Sequence, residues 1–167
     1  MIRCGLHVGR PVDRSLAREI GRELRRAEAL GAAKRALRAR PLSERRLRER
    51  LRAKGIGKGA EQGTVSALAR VGLVDDSRLA AGRTAALVEK GWGDAAIIAR
   101  LAEEGLSETD VERALTEQPP ESERARNLAG GLPLRKAWAL LQRRGFSAEA
   151  VEDALGALDA AAADGLG

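Results

Sequence analysis

The chain contains Gly105-Leu106-Ser107 followed by Val111, Ala114 and Leu115, and forty residues later it contains Gly145-Phe146-Ser147 followed by Val151, Ala154 and Leu155. Glycine commonly ends a helix, and serine is among the best residues for beginning one. The apolar residues fall four, seven and eight positions after the serine, which is the spacing of one helix face. Each stretch therefore predicts a helix end, a tight turn and a second, amphipathic helix.

The repeat extends beyond these two turns. Upstream, Ile97, Ile98 and Leu101 correspond to Ala137, Trp138 and Leu141, and an offset of fifty matches Leu47, Leu51, Gly55 and Ile56 to Ile97, Leu101, Gly105 and Leu106. A further helical stretch precedes each unit, at Ala33–Arg38, Leu79–Glu89 and Glu121–Leu128. Self-similarity of this kind is typical of tandem helical repeats that stack on their neighbours.

These repeats set the predicted fold class and its boundaries. We expect an all-α protein in which three tandem three-helix repeats form an elongated, curved array behind an N-terminal basic helix. The predicted segments are an extension at 1–32, repeats at 33–74, 75–118 and 119–160, and an Ala/Gly tail at 161–167. Asp76 is the predicted N-cap of the second repeat, and Pro119-Pro120 separates the second repeat from the third.

The composition supports a helical protein and argues against most enzymes. Aromatic residues make up 2% of the 167 positions, which disfavours a sheet. One cysteine, Cys4, and one histidine, His7, exclude a disulfide framework, a Cys- or His-based metal site and a Ser-His-Asp triad. We therefore expect no enzyme, no metal and no cofactor. No apolar run approaches the roughly 18 residues of a membrane span and no secretory segment is evident, so we expect a cytoplasmic protein.

Positive charge is concentrated in the first third of the chain. Residues 1–58 contain 18 Lys and Arg against 6 Asp and Glu, whereas residues 59–167 contain 12 against 18. A basic segment of this kind is typical of polyanion-binding proteins. Arg outnumbers Lys 25 to 5, which suits bidentate phosphate recognition and is equally explained by a codon bias toward Arg, Ala and Gly.

The first basic helix is predicted from Asp13 to Leu30. Its apolar face consists of Leu16, Ile20, Leu24 and Ala27, and its cationic face consists of Arg14, Arg18, Arg22 and Arg25, with Arg26 at the edge. This cationic face is interpreted either as a solvated surface or as a phosphate-contacting surface. A membrane-surface helix is disfavoured, because the apolar face has no aromatic anchor.

A second basic helix is predicted over Glu44–Lys54. Ser43 is its N-cap, and Leu47 and Leu51 point inward. Glu44–Arg48 and Arg45–Glu49 have the i,i+4 spacing of stabilising ion pairs, so part of the charge supports the helix itself.

Several conspicuous motifs are interpreted structurally. Gly57-Lys58-Gly59 lacks the Ser or Thr that follows the lysine of a phosphate-binding loop, so a flexible junction is expected. Asp75-Asp76 is interpreted as a cap and dipole complement at a helix start rather than as a Mg²⁺ site. Trp138 and Phe146 are predicted to be buried because they match Ile98 and Leu106, whereas Trp92, in a Gly-flanked turn, stays open between packing and base stacking.

Three stretches together resemble the RecX family of recombinase regulators. They are Leu73-Val74-Asp75-Asp76-Ser77-Arg78-Leu79-Ala80, Lys90-Gly91-Trp92-Gly93 with the following Ile97, Leu101 and Gly105, and Leu140-Leu141-Gln142-Arg143-Arg144-Gly145-Phe146-Ser147. The stretch from Arg45 to Gly55 is similar to the first repeat of that family. The resemblance runs from about Ala33 to Leu158. It departs from the family at Leu79, where Phe is usual, and in the glycine-rich segment 55–63, and it leaves residues 1–32 outside.

The resemblance implies three tandem three-helix repeats and no chemistry of the protein's own. Proteins of this family bind along RecA filaments on single-stranded DNA, limit their growth or stability, and also bind DNA. RecA and single-stranded DNA are thus the implied partners, with double-stranded DNA as a further one, and we expect a monomer without a membrane partner. The alternative is a helical, helix-turn-helix-like regulator acting on DNA or RNA without RecA. The candidate DNA- or RecA-binding residues are Arg18, Arg22, Arg25, Arg45, Arg46, Arg48, Arg52, Lys54, Arg143 and Arg144.

Overall fold

The structure is a computed structural model that describes residues 13–164, with side chains over residues 13–160. Every regular secondary-structure element between residues 13 and 164 is an α-helix, which confirms the predicted all-α class. Cys4, His7 and the first twelve residues of the predicted extension lie outside the described residues, as do the side chains of the predicted tail. The helices are α1 (Arg14–Ala39), α2 (Glu44–Ala53), α3 (Lys58–Arg70), α4 (Asp76–Glu89), α5 (Asp94–Glu103), α6 (Glu108–Thr116), α7 (Glu121–Ala129), α8 (Leu134–Arg144) and α9 (Ala148–Asp164).

The helices form two compact units that meet in sequence between Asp75 and Asp76. The first unit contains α1 to α3, and the second contains α4 to α9, which are the second and third predicted repeats. Between residues 13 and 164, no helix combines the length and the apolar character that a bilayer crossing requires.

In the first unit, the two helices predicted at the N-terminal end are one continuous helix. Asp13 caps α1 by accepting a hydrogen bond from the Leu16 N–H at 2.7 Å, as predicted. The helix then continues through Gly31 to Ala39, because buried alanines pack it against α2 and α3 and offset the cost of the glycine, about 1 kcal/mol. The predicted boundary at residue 32 therefore lies inside α1.

The apolar face predicted for α1 is only half right. Leu16 is buried, but Leu24 is 55% exposed and Ala27 is exposed as well. The core of the first unit includes α1 residues only from Ala29 onward, so Leu24 and Ala27 lie outside it. This core consists of Ala29, Ala32, Ala33, Ala36, Leu42, Leu47, Leu51, Ile56, Val65, Leu68 and Val74.

The glycine-rich segment 55–63 is helical from Lys58 onward, so the flexible junction expected at Gly57-Lys58-Gly59 is wrong for Lys58 and Gly59. Helix α3 begins at Lys58, and its Glu61 is buried at 2% exposure. Arg52 donates two hydrogen bonds to the Glu61 carboxylate, from Nε at 2.7 Å and from Nη2 at 2.9 Å. This bidentate contact attaches the first turn of α3 to α2 and orders a segment whose glycines favour the unfolded chain.

In the second unit, the two repeats place equivalent residues in equivalent cores. Ser107 and Ser147 cap α6 and α9, accepting hydrogen bonds from the N–H groups of Asp110 and Ala150, as predicted. Gly105 and Gly145 have φ of 86° and 75°, the left-handed conformation that favours glycine. The second repeat buries Ala80, Ile97, Leu101, Leu106, Val111 and Ala114, and the third buries Ala125, Ala129, Ala137, Leu141, Phe146, Ala150, Val151 and Ala154.

A polar junction joins these two cores. The Gly93 N–H donates to the Arg144 carbonyl at 2.9 Å, and a Cβ at Gly93 would overlap the carbonyl group of Gly145, so only glycine allows this approach. Arg124, whose side chain is 9% exposed, donates to the carbonyls of Pro119 and Trp92 and to the Asp94 carboxylate. The second and third repeats therefore form one unit with two cores.

Trp138 is exposed, which contradicts the burial predicted from its repeat position. Its residue surface is 52% exposed, whereas Leu141 and Phe146 are buried as predicted. The inward face of α8 is centred on Ala137 and Leu141, and position 138 lies at its border. The counterpart Ile98 is half-buried at the same border. The larger indole ring extends past the edge of the core into solvent.

Candidate nucleic-acid interface

A cationic cleft lies between α1 and the first turn of α3. Its volume is about 340 Å³, and its walls come from two short stretches of the first unit. Helix α1 contributes Arg22, Arg25 and Arg26, and the start of α3 contributes the stretch from Gly57 to Ala60. Three arginines and one lysine thus face a single opening.

Local sequence explains why these side chains converge. Positions 22, 25 and 26 are three and four residues apart, so they share one face of α1. Gly57 precedes α3 and supplies no side chain to cap it. The first N–H groups of a helix carry partial positive charge and favour anions. Around Gly57 and Gly59 there is open space where a side chain would otherwise lie, so an anion can approach this backbone.

The charges around the cleft are only partly neutralised. Arg26 forms an ion pair with Glu23 at 2.8 Å, within α1. Within residues 13–160, no carboxylate forms an ion pair with Arg22, Arg25 or Lys58. These three cations and the α3 N-terminus define what we call the basic cleft. Its chemistry matches a phosphate group, which arginine binds with a planar pair of donors.

Three candidate arginines on α2, unlike those of the basic cleft, form ion pairs with carboxylates of their own helix. Glu49 accepts from Arg45 Nε at 3.2 Å and from Arg46 Nη1 at 2.7 Å, and Arg48 pairs with Glu44 at 2.6 Å. The predicted i,i+4 pairs are thus confirmed. The hydrogen bond from Arg46, helped by the one from Arg45, lowers the pKa of Glu49 below its ordinary value of 4.5. At neutral pH this carboxylate is charged and holds both guanidinium groups.

Arg52 has a structural role. Its hydrogen bonds to the buried Glu61 raise its pKa above the ordinary arginine value. A phosphate would have to displace this bidentate partner and leave a buried carboxylate unpaired, which is costly. Arg52 is therefore a poor phosphate ligand despite being on an exposed helix face.

Comparison with known proteins places the chain in a family. No family model matches it. Regulatory protein RecX of Halorhodospira halophila (strain DSM 244 / SL1) is 31% identical over 139 residues, covering 77% of this chain and 86% of that protein. The chain belongs to the RecX family.

Solved RecX structures share its fold. The crystal structure of RecX from Lactobacillus salivarius superposes with a TM-score of 0.74 at 19% identity, over 81% of this chain and 97% of that one. A second crystal structure, of a regulatory protein RecX, gives 0.75 at 24% identity, over 88% and 81% of the two chains. The resemblance recognised in the sequence is therefore confirmed.

The remaining predicted residues of this RecX-family chain are spread over both units. Arg18 is exposed on α1, one turn before Arg22, and Lys54 is exposed at the C-terminal end of α2. In the second unit, Arg143 is exposed on α8. Arg144 belongs to the junction between repeats, where it donates to the Lys90 carbonyl at 2.6 Å and lies over the Trp92 ring at 4.8 Å.

Sequence reasoning missed Lys58 and the use of Trp92. The sequence pattern predicts a flexible junction at Lys58 because of its glycine neighbours, although Val65 and Leu68 recur at helical spacing behind Glu61 and indicate a helix that starts near this lysine. Trp92 is half-buried, with Arg100 at 3.8 Å from its ring centroid in addition to Arg144. Its ring is occupied by these two guanidinium groups, which favours packing over base stacking.

Proposed function

We propose that this protein is a non-enzymatic regulator that binds RecA filaments on single-stranded DNA and lowers the recombinase and ATPase activity of RecA. Its membership in the RecX family supports a regulatory role. The observation that carries the proposal is the basic cleft, where Arg22, Arg25 and Lys58 meet a helix N-terminus and, among residues 13–160, have no carboxylate partner. A surface of this chemistry binds a phosphodiester backbone.

Electrostatics favours the cleft over the rest of the basic segment. Each phosphate neutralised on a single strand releases condensed counterions, which gives a salt slope of roughly 0.7 per contact. A cation that has no carboxylate partner within the protein gains the full free energy of this counterion release. Arg45, Arg46 and Arg48 of α2 must first leave Glu49 or Glu44, so they contribute less. The cleft is therefore the main DNA-contacting surface of the first unit.

The decisive experiment is the ATPase activity of RecA on single-stranded DNA, titrated with this protein. We expect suppression at ratios well below one protein per RecA protomer, because a regulator that binds along the filament blocks many protomers at once. The Arg22→Ala/Arg25→Ala/Lys58→Ala variant should require a higher concentration. Saturating amounts of folded wild-type protein that leave both ATP hydrolysis and strand exchange unchanged would refute the proposed function.

A matched variant keeps this experiment specific to the cleft. Arg35→Ala/Arg38→Ala/Arg70→Ala also removes three positive charges, but from the C-terminal halves of α1 and α3 rather than from the basic cleft. We expect this variant to suppress RecA nearly as well as wild type. If both triple variants lose activity equally, overall charge rather than the cleft carries the interaction.

A further inference from the structure

The third repeat presents a tryptophan to solvent in a protein that has almost no aromatic residues. The whole chain contains two tryptophans, one phenylalanine and no tyrosine. Trp92 and Phe146 are packed, but Trp138 is 52% exposed. Leu134, one helical turn earlier on the same side of α8, is 43% exposed. An indole ring left uncovered beside a second apolar side chain is a feature that the proposed role of the basic cleft does not explain.

The helix that carries this tryptophan is strongly cationic. Helix α8 contains four basic residues, Arg135, Lys136, Arg143 and Arg144, and no Asp or Glu. Arg144 is engaged in the repeat junction, and the other three are exposed. The equivalent helix of the second repeat, α5, contains Asp94, Glu103 and one arginine. The two repeats thus share a fold but differ in charge at this position.

The angular positions on α8 bring charge and ring together. At about 100° per residue, Arg135 lies roughly 60° and Gln142 roughly 40° from Trp138 around the helix axis. Leu134 lies about 40° away on the other side. We call Leu134, Arg135, Trp138 and Gln142 the α8 face. It offers an aromatic plane, a cation and an amide within one or two turns.

We propose that the α8 face binds single-stranded DNA by stacking a base on Trp138 while Arg135 contacts the adjacent phosphate. This inference rests on the proposed function and adds a second DNA-contacting surface, separate from the basic cleft. Exposed aromatic rings flanked by cations are the means by which proteins bind single strands without sequence preference. A duplex does not fit, because its bases are stacked on one another.

Charge and area favour DNA over a protein partner at this face. The exposed cations of α8 complement a polyanion, and helix α8 has no carboxylate that would repel it. Two apolar side chains are far fewer than the 20 to 30 residues a side, roughly, of a stable protein interface. A single stacked base needs only the one ring.

The test uses the tryptophans as reporters. We expect an oligodeoxythymidylate to quench the fluorescence of wild-type protein, and to quench far less in Trp138→Phe, where only the packed Trp92 remains. In the anisotropy of a labelled oligodeoxythymidylate, Trp138→Ala should weaken binding about tenfold. Trp138→Phe should retain most of the affinity, because a phenyl ring still stacks. Leu73→Ala, which truncates an equally exposed side chain in the first unit, should change nothing.

Each alternative result overturns the inference in a recognisable way. Wild-type affinity in Trp138→Ala would remove the base-stacking role while leaving DNA binding by the cleft intact. No binding by wild-type protein would refute the DNA-binding part of the proposed function as well. Trp138→Ala that binds the oligonucleotide normally but no longer suppresses RecA would assign the α8 face to a protein contact instead. Because Trp138 is exposed, melting curves of the variants should match wild type.

Discussion

The arginines of the basic cleft and those of the repeat junction differ in their exposure to solvent and in the number of acceptors around them. Arg22 and Arg25 face an open cleft without a carboxylate among the described residues, whereas Arg124 is 9% exposed and saturated by Asp94 and two backbone carbonyls. Arg45, Arg46 and Arg48 of α2 lie between these extremes, because they are partly exposed but paired. The number of arginines in a stretch of sequence therefore does not measure its capacity to bind DNA. What decides that capacity is whether carboxylates lie close enough to pair with those arginines.

This contrast also separates stability from binding. A saturated, buried guanidinium holds two elements together, and its loss leaves several acceptors without donors. An exposed guanidinium without a partner contributes little to folding and is available to a ligand. The two sets of residues should therefore respond to substitution in different experiments.

The largest effect is expected for Arg124→Ala. It removes donors to the carbonyls of Pro119 and Trp92 and to the Asp94 carboxylate, so the free energy of unfolding of the second unit should fall by about 3 kcal/mol. The measurement is a urea titration followed by tryptophan fluorescence, because Trp92 and Trp138 both lie in that unit. Below the transition, affinity for single-stranded DNA should equal that of wild type.

Arg126→Ala is the control on the same helix. Its ion pair with Asp153 is exposed on both sides, at 3.4 Å, so its loss should cost less than about 0.5 kcal/mol. A loss in Arg126→Ala as large as in Arg124→Ala would show that α7 responds to any truncation and that the junction is not special.

The next effect distinguishes the basic cleft from α2. Arg22→Ala/Arg25→Ala/Lys58→Ala should weaken binding to single-stranded DNA roughly tenfold to a hundredfold near 0.1 M salt and should flatten the salt slope by about 2. The corresponding triple variant of α2, Arg45→Ala/Arg46→Ala/Arg48→Ala, should lose less than about fivefold, because its side chains are already paired. Anisotropy titrations at several salt concentrations measure both quantities. Equal losses would make the pairing on α2 irrelevant to binding.

The sequence predicted the second and third repeats well because their signals are local. Ser107 and Ser147 cap the helices that follow them by accepting hydrogen bonds from N–H groups three residues ahead, and Gly105 and Gly145 adopt a conformation that few other residues accept. The repeat offset that matches Leu101 with Leu141 predicts that both are core residues, and both are buried. Local caps, turns and spacing need no knowledge of what packs against what.

The errors arose where tertiary contacts decide. The break predicted near residue 32 does not exist, because packing of buried alanines carries α1 through Gly31. The start of α3 was hidden by glycines and is ordered by Arg52 and Glu61, nine residues apart and invisible to a helical spacing rule. Trp138 was predicted to be buried from its repeat position alone, although a border position that half-buries an isoleucine cannot cover an indole.

The smallest expected effect concerns the ion pairs of α2. Glu49→Gln removes the charged partner of Arg45 and Arg46, so the affinity for single-stranded DNA at neutral pH should rise about twofold to fivefold. The folded-state pKa of Glu49 lies below its ordinary value of 4.5. Glu49 is therefore fully ionised and paired at pH values above the ordinary pKa, and the pairing is lost as the pH falls through the lowered pKa. Wild type and Glu49→Gln should therefore converge in acid. Glu117→Gln, an exposed carboxylate of the second unit with the same change in charge, is the control; an equal rise there would assign the effect to net charge rather than to release of the α2 arginines.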